Sequence, residues 1–378
     1  MRRRDFLALP ATLPMAQRAA AAETEAGFVP LFDGSTLKGW QIREGPSTAF
    51  HVVDGAITVH PSANFPTWLR SAKQYENFDF RGEFFLKGWM DSGIYLHAPE
   101  HGRNTWCGMS VKLFHQQEAK PTPYSCGAVF PVVAPSQVKV NNKGEWNTFR
   151  IVCDWPRFQV WMNDTQVQDL DMESVPELKH RLRSGYLGFE SLSYPIRFRN
   201  LRIRELPSKD KWQPLFETAA DLTNWTISEG KPVYEAIGNV LRLEGLGHIA
   251  TRAKYRDFAL QTYIRTSRWH NGGVVFRSSG GGTRATRHYE IQLHNVEGAH
   301  FPTGSLYHHK RAVYPRIADE QWWLFQLIAQ GRNLVIRING ENVLEYADLE
   351  NADEGLIELQ AHHTGTWAEF KHLRIKPL

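Results

Sequence analysis

The chain has 378 residues, enough for two domains or one large β domain. With 42% hydrophobic and 22% charged residues it can bury a core, and a formal net charge of +4 offers no excess for nucleic acid or anionic lipid. No apolar run reaches the length of about 18 residues that a spanning helix needs, and 29 Gly, 20 Pro and 12% aromatic residues favour turns and strands over long helices.

Residues 1–26 read as an export segment. Arg2-Arg3-Arg4-Asp5-Phe6-Leu7 contains the pattern R-R-x-F-L, Leu7 to Ala16 is a short, weakly apolar run, and Arg18 precedes Ala19 to Ala22. A basic start, an apolar middle and a small-residue end make a removable signal. The paired arginines point to a twin-arginine address, and so to a periplasmic or secreted protein.

Two halves of one repeat follow, 27–207 and 208–378. Leu31-Phe32-Asp33-Gly34 through Trp40 answers to Leu215-Phe216-Glu217 through Trp225, and Tyr75 and Phe78 answer to Tyr255 and Phe258. Ser92-Gly93-Ile94-Tyr95-Leu96 matches Gly272-Gly273-Val274-Val275-Phe276, and Phe198 to Ile203 matches Phe370 to Ile375. Segments such as Phe149 to Val152, Phe158 to Met162 and Asn333 to Ile338 are short, alternating and rich in β-branched or aromatic residues. Asn163-Asp164 and Asn339-Gly340 stand where hairpin turns need positive φ. The predicted fold is all-β: two tandem jelly-roll β-sandwiches. Cys107, Cys126 and Cys153 fit no metal motif; an oxidising compartment would allow one disulfide, and the sequence does not choose a pair.

In the second half, alternation sorts side chains by face. Glu290, Gln292 and His294 oppose Tyr289, Ile291 and Leu293, and Glu358, Gln360 and His362 oppose Ile357 and Leu359. Arg277 shares a face with Gly273 and Val275. Acids, amides, imidazoles and a guanidinium therefore collect on the side away from the apolar core, where a jelly roll offers a sugar-sized cleft. Trp269, just before the Arg277 strand, is the best-placed sugar-stacking ring. Gly280 to Thr283 reads as a flexible loop, since it lacks the Lys-Ser/Thr of a phosphate loop. Most of the 16 histidines lie in this half, and imidazole with carboxylate suits a divalent metal, although no local ligand spacing fixes such a site.

The opening L-F-D-G-x-x-L-x-G-W, the central D-S-G-I-Y-L, the G-E-W-N-T-F-R-I strand and the closing I-R-F-R-N-L-R-I resemble the 3-keto-disaccharide hydrolase domain family. The resemblance implies concanavalin A-like jelly rolls, frequently exported, that act on sugars. The family's Y-E-x-Q strand is present as Tyr289-Glu290-Ile291-Gln292. Its late Q-D-H-like turn is present as Gln360-Ala361-His362, with Ala361 in place of the usual acid. This nominates Glu290 and His362 for catalysis with Gln292 and Gln360 as substrate contacts; strand geometry adds Arg277 and His294 to the first set and Glu358 to the second. The first half has Ser110 where Glu290 stands, Glu190 for Gln360, Leu192 for His362 and His97 for Arg277. It reads as a binding or structural partner, with Lys112 and Glu190 expected to pair across its cleft.

The expected activity is exported hydrolysis of 3-keto-glycosides. A ketone at carbon 3 acidifies the carbon-2 hydrogen, Glu290 or His362 removes it, and Arg277 or a metal stabilises the enolate. Elimination at carbon 1 and addition of water complete the reaction. Ordinary two-carboxylate hydrolysis by Glu290 and Glu358 is the chemical alternative. A non-catalytic carbohydrate-binding protein with two lectin-like domains is the functional alternative.

Overall fold

The computed structural model describes residues 25–281 and 288–378. The export segment up to residue 24 and Gly282 and Thr283 of the expected loop lie outside them. Among the described residues four antiparallel sheets form two β-sandwiches, each of an eight-stranded and a five-stranded sheet. Both sandwiches have the same strand order, so the duplication read from the sequence is also one of topology. In the first, the five-stranded sheet runs Trp40–Arg43, Trp68–Tyr75, Gly185–Glu190, Asp91–Ala98, Met109–Phe114. In the second it runs Trp225–Gly230, Gly247–Thr251, Leu356–Ala361, Gly272–Ser278, Tyr289–Leu293.

Each pair of sheets encloses its own apolar core. The inward residues are those that alternation marks: Ile291, Leu293, Ile357 and Leu359 are each at most 1% exposed. Burying each such aliphatic side chain contributes roughly 1.5–3 kcal/mol. The predicted hairpins form as written. Asn163 and Asp164 have φ of 46° and 61°, and Asn339 and Gly340 have 48° and 85°. Two consecutive positive-φ residues match the twist of the flanking strands, which is why Asn, Asp and Gly occupy them. The three cysteines are free and buried, with no disulfide among them. Burial pushes the Cys126 thiol up to about 11, leaving it unreactive at neutral pH.

No helix among the described residues is long and apolar enough to cross a membrane. The two domains meet where first-domain residues near Glu100–Cys107 and Lys179–Arg183 touch the outer face of the second domain's eight-stranded sheet. Cys107, Leu182, Tyr263 and Leu324 share a small apolar cluster there, and Lys371 Nζ lies 2.8 Å from Glu100 Oε1. The second five-stranded sheet stays clear of this seam.

Candidate active site

The polar face of the second five-stranded sheet is laid out in rows by strand register. Val275 has Glu290 on one side and Glu358 on the other; Gly273 has Gln292 on one side and Gln360 on the other, and His248 lies beyond Gln360. Gly273 leaves a gap in the second row, and Glu290 leans into it. A methyl at residue 273 would fall 2.4 Å from Glu290 Oε1. No side chain among the described residues donates to that carboxylate. Burial pushes its pKa up to about 7, opposed in part by His248. An acid poised there can accept a proton at neutral pH.

Behind Glu290 runs a closed hydrogen-bond chain. Glu358 is 0% exposed and accepts from Ser278 Oγ at 2.5 Å, Ser228 Oγ at 2.9 Å and His248 Nδ1 at 3.0 Å. Burial opposes its ionisation, but His248, Ser278 and Ser228 together hold its pKa below the ordinary value. A carboxylate only accepts, so His248 carries its proton on Nδ1 and presents Nε2 to the Gln360 amide at 3.1 Å. The Glu358–His248 couple thereby orients Gln360. Gln292 donates to Asn271 Oδ1 at 2.5 Å. Each amide nitrogen has a second N–H left for a ligand.

Glu358 is accordingly corrected from a substrate contact to a buried support. With Glu358 buried and accepting three hydrogen bonds, Glu290 is the carboxylate of the pair without a donor among the described residues. Both acids flank Val275, so their backbones stand about two strand spacings apart, near 10 Å.

Alternation put Arg277 in the cleft, and the structure corrects this too. The register shifts between Val275 and Ser278, and Arg277 adopts a φ of 54°. The bulge turns Arg277 out of alternation. Its guanidinium is buried against the carbonyls of Asn351 and Arg256, at 2.9 and 3.2 Å, and Asp257 Oδ1 at 3.2 Å. Ser278 takes the cleft-side place that Arg277 vacates. The matching first-domain residue, His97, has the same left-handed backbone at φ 50°.

His294 and His362 lie just past the ends of their strands, on one rim. His294 Nδ1 contacts His270 O at 3.0 Å, and the His362 amide donates to Asn271 O at 3.1 Å. Burial, then His363 and His248, depress the His362 pKa, so the ring is neutral at pH 7. Trp269 belongs to the same rim loop and is 63% exposed. His270 beside it is buried, and burial with two neighbouring imidazoles lowers its pKa to about 4. No group of three or more His, Cys, Asp or Glu among the described residues is arranged to hold a metal ion. The sequence does not mark His248, because in Gly247-His248-Ile249-Ala250-Thr251 the His248 face also carries Ala250 and the Ile249 face carries Gly247 and Thr251.

The first-domain cleft is filled by its own side chains. Trp68, at the place of His248, and Tyr95, at the place of Val275, are 2% and 3% exposed and meet edge to face at 5.7 Å. Tyr95 OH donates to Glu190 Oε1 at 2.7 Å. The expected Lys112–Glu190 ion pair does not form: Lys112 Nζ lies 2.5 Å from Asp91 Oδ1 instead. Lys112 stands opposite Gly93, with Asp91 as its diagonal neighbour, whereas Glu190 is two strands away.

Sequence comparison matches residues 27–204 and 211–376 to the model of a 3-keto-α-glucoside-1,2-lyase-like domain. No curated protein matches. Among solved structures, a candidate glycosyl hydrolase of Parabacteroides distasonis ATCC 8503 is 20% identical, covering 48% of this chain and 94% of its own, with a TM-score of 0.42. The carbohydrate-binding module CBM66 of Bacillus subtilis is 18% identical over 40% of this chain and 95% of its own, with a TM-score of 0.31. A Bacillus subtilis protein of galectin-like fold is 12% identical over 44% and 94%, with a TM-score of 0.36.

Proposed function

Because this chain belongs to the 3-keto-α-glucoside-1,2-lyase-like family, with two copies of the domain, we propose that its second cleft cleaves glycosides already oxidised at carbon 3. The observation that carries this reading is Glu290: a carboxylate with no hydrogen-bond donor among the described residues, poised near pH 7 over a glycine gap and flanked by two oriented amides. A base of this strength suits the removal of a hydrogen made acidic by a neighbouring ketone.

In the proposed reaction Glu290 takes the carbon-2 hydrogen, and the electron pair passes to the carbon-3 oxygen. The spare N–H groups of Gln292 and Gln360 hydrogen-bond that enolate, in the role first given to Arg277. The enolate re-forms the ketone as the bond from carbon 1 to its oxygen breaks with its electron pair, that oxygen takes up a proton from solvent water, and Glu290 gives its own proton back to solvent. In an α-glucoside the axial carbon-1 oxygen and the carbon-2 hydrogen lie on opposite faces of the ring. With Glu290 on the floor, the leaving oxygen points to the rim, where His294 and His362 stand. Addition of water to the unsaturated sugar completes net hydrolysis. Trp269 offers a stacking face for the group beyond carbon 1.

The test is incubation of the purified protein with 3-keto-trehalose or 3-keto-sucrose alongside the unoxidised sugars. Release of the aglycone sugar from the keto substrates alone supports the reading; no release, with binding retained, supports a lectin-like role instead. The same reading makes residues 1–26 an export signal. Cell fractionation of an Arg3→Lys, Arg4→Lys variant should find the precursor in the cytoplasm, and normal export would reject the twin-arginine address.

A further inference from the structure

Beyond Glu290, on the side away from Gly273, the polar face of the second five-stranded sheet continues into Tyr307. The Tyr307 amide donates to Glu290 O at 2.9 Å, and Leu306 bridges Ile291. Leu306 is 0% exposed and belongs to the core, so alternation turns the next residue, Tyr307, to the cleft side. As cross-strand neighbours, Tyr307 and Glu290 have Cβ atoms about 5 Å apart. The Tyr307 ring is 38% exposed and is held by Phe301, edge to face at 5.3 Å, and by His308 at 4.1 Å. Its phenol oxygen has no hydrogen-bond partner among the described residues.

The duplication supports this placement independently. In the first domain Phe130 takes the same position: its amide donates to Ser110 O at 2.9 Å, and Val129 bridges Val111. Its ring stands on the cleft side, with Lys112 Nζ 4.7 Å from the ring centroid. Lys112 is the residue that answers to Gln292. The supporting ring is kept as well, Tyr124 meeting Phe130 edge to face at 5.5 Å. What differs is the place of the hydroxyl. The copy with Glu290 carries its phenol on the ring beside that carboxylate. The copy with Ser110 carries it on the outer ring, Tyr124, which is 62% exposed. Packing alone does not call for this exchange, because Phe fills the inner place in one domain and the outer place in the other.

We propose that Tyr307 is a substrate-binding residue of the second cleft, its phenol donating a hydrogen bond to the carbon-2 hydroxyl oxygen of the keto sugar. This contact rests on Glu290 meeting carbon 2, as in the reaction above. That carbon carries one hydrogen and one hydroxyl. With the hydrogen directed to Glu290, and the carbon-3 oxygen held by Gln292 and Gln360 over Gly273, the hydroxyl lies toward the other neighbour of Glu290. That neighbour is Tyr307. One such hydrogen bond is worth about three- to tenfold in affinity.

The test is calorimetric titration of Glu290→Gln protein, which binds without turning substrate over. The ligands are 3-keto-trehalose and its counterpart lacking the carbon-2 hydroxyl of the keto ring. Adding Tyr307→Phe should weaken 3-keto-trehalose by about three- to tenfold and leave the deoxy sugar within about twofold, at an unchanged melting temperature. Tyr124→Phe should alter neither. Undiminished affinity in Tyr307→Phe would overturn the proposal. So would an equal loss for both sugars, which would put the phenol against another group, or a loss on Tyr124→Phe, which would put the sugar in the first domain. Absence of saturable binding would overturn it too. Binding is read here without turnover, so these outcomes stand apart from failure of the cleavage assay, which bears on the catalytic reading.

Discussion

Glu290 lies across Gly273, close enough that a methyl at 273 would stand 2.4 Å from Oε1 and 2.6 Å from Cγ. The obstructed atoms are the end of a flexible side chain, so Gly273→Ala should fold while driving the carboxylate out of its place. The expected result is a fall of about tenfold or more in kcat with a melting temperature within a few degrees of wild type. Undiminished turnover would show that Glu290 need not occupy the gap.

The pKa of Glu290 fixes a pH dependence with a definite sign. Its folded value, about 7, lies above the ordinary 4.5. The folded state therefore holds this proton more tightly, and stability declines as pH rises from 4.5 through 7, by roughly 3 kcal/mol in all. Glu290→Gln should be more stable than wild type at pH 8 and no more stable at pH 4. Denaturant titrations at the two pH values decide this. The acid limb of kcat/KM should sit near pH 7, since a protonated Glu290 cannot act as a base.

Glu358 behaves in the opposite sense. Its folded pKa is depressed, so its contribution is full above the ordinary carboxylate value and fades as pH falls through the folded one. Glu358→Ala strands His248 Nδ1 and two serine hydroxyls in a buried place, at a cost of about 3–5 kcal/mol. His248→Phe should keep more of the stability yet still lower activity, because Gln360 loses its orienting partner. Thermal melts set beside turnover numbers separate the two effects.

The first domain should be silent in catalysis. Ser110→Ala should leave turnover within about twofold of wild type. Tyr95→Phe removes one hydrogen bond to Glu190 and should cost about 1 kcal/mol of stability without changing kcat. A large loss of activity from Ser110→Ala would reinstate the first cleft as a second site.

Alternation made Glu290, Gln292 and Gln360 legible, because side-chain period is a local property of a strand. It failed at Arg277, because a bulge is a backbone event that shifts every residue after it, and nothing in Phe276-Arg277-Ser278 announces one. The same rule marked Glu358 as polar-facing but could not see three donors arriving from the neighbouring Gly247–Thr251 strand and from Ser228 and Ser278. His248 escapes the same rule because its strand pairs it with Ala250 on one face and sets Gly247 and Thr251 beside Ile249 on the other, so no polar face stands out. Paired charge changes at Lys112 and Glu190 suggested contact, but register places Asp91 nearer to Lys112. The filling of the first cleft by Trp68 and Tyr95 depends on strand order across the sheet, which no local pattern encodes.

Removal of the carbon-2 hydrogen by Glu290 as the first step of cleavage would leave an isotopic record in the product. That record is read by giving the enzyme a 3-keto-α-glucoside deuterated at carbon 2 and weighing the keto sugar released, against a control without enzyme. Wild-type product should have exchanged its deuterium for solvent hydrogen, deuteration should slow turnover, and Glu290→Gln should release almost no product. Product that keeps its carbon-2 deuterium, formed at an unchanged rate, would contradict that first step.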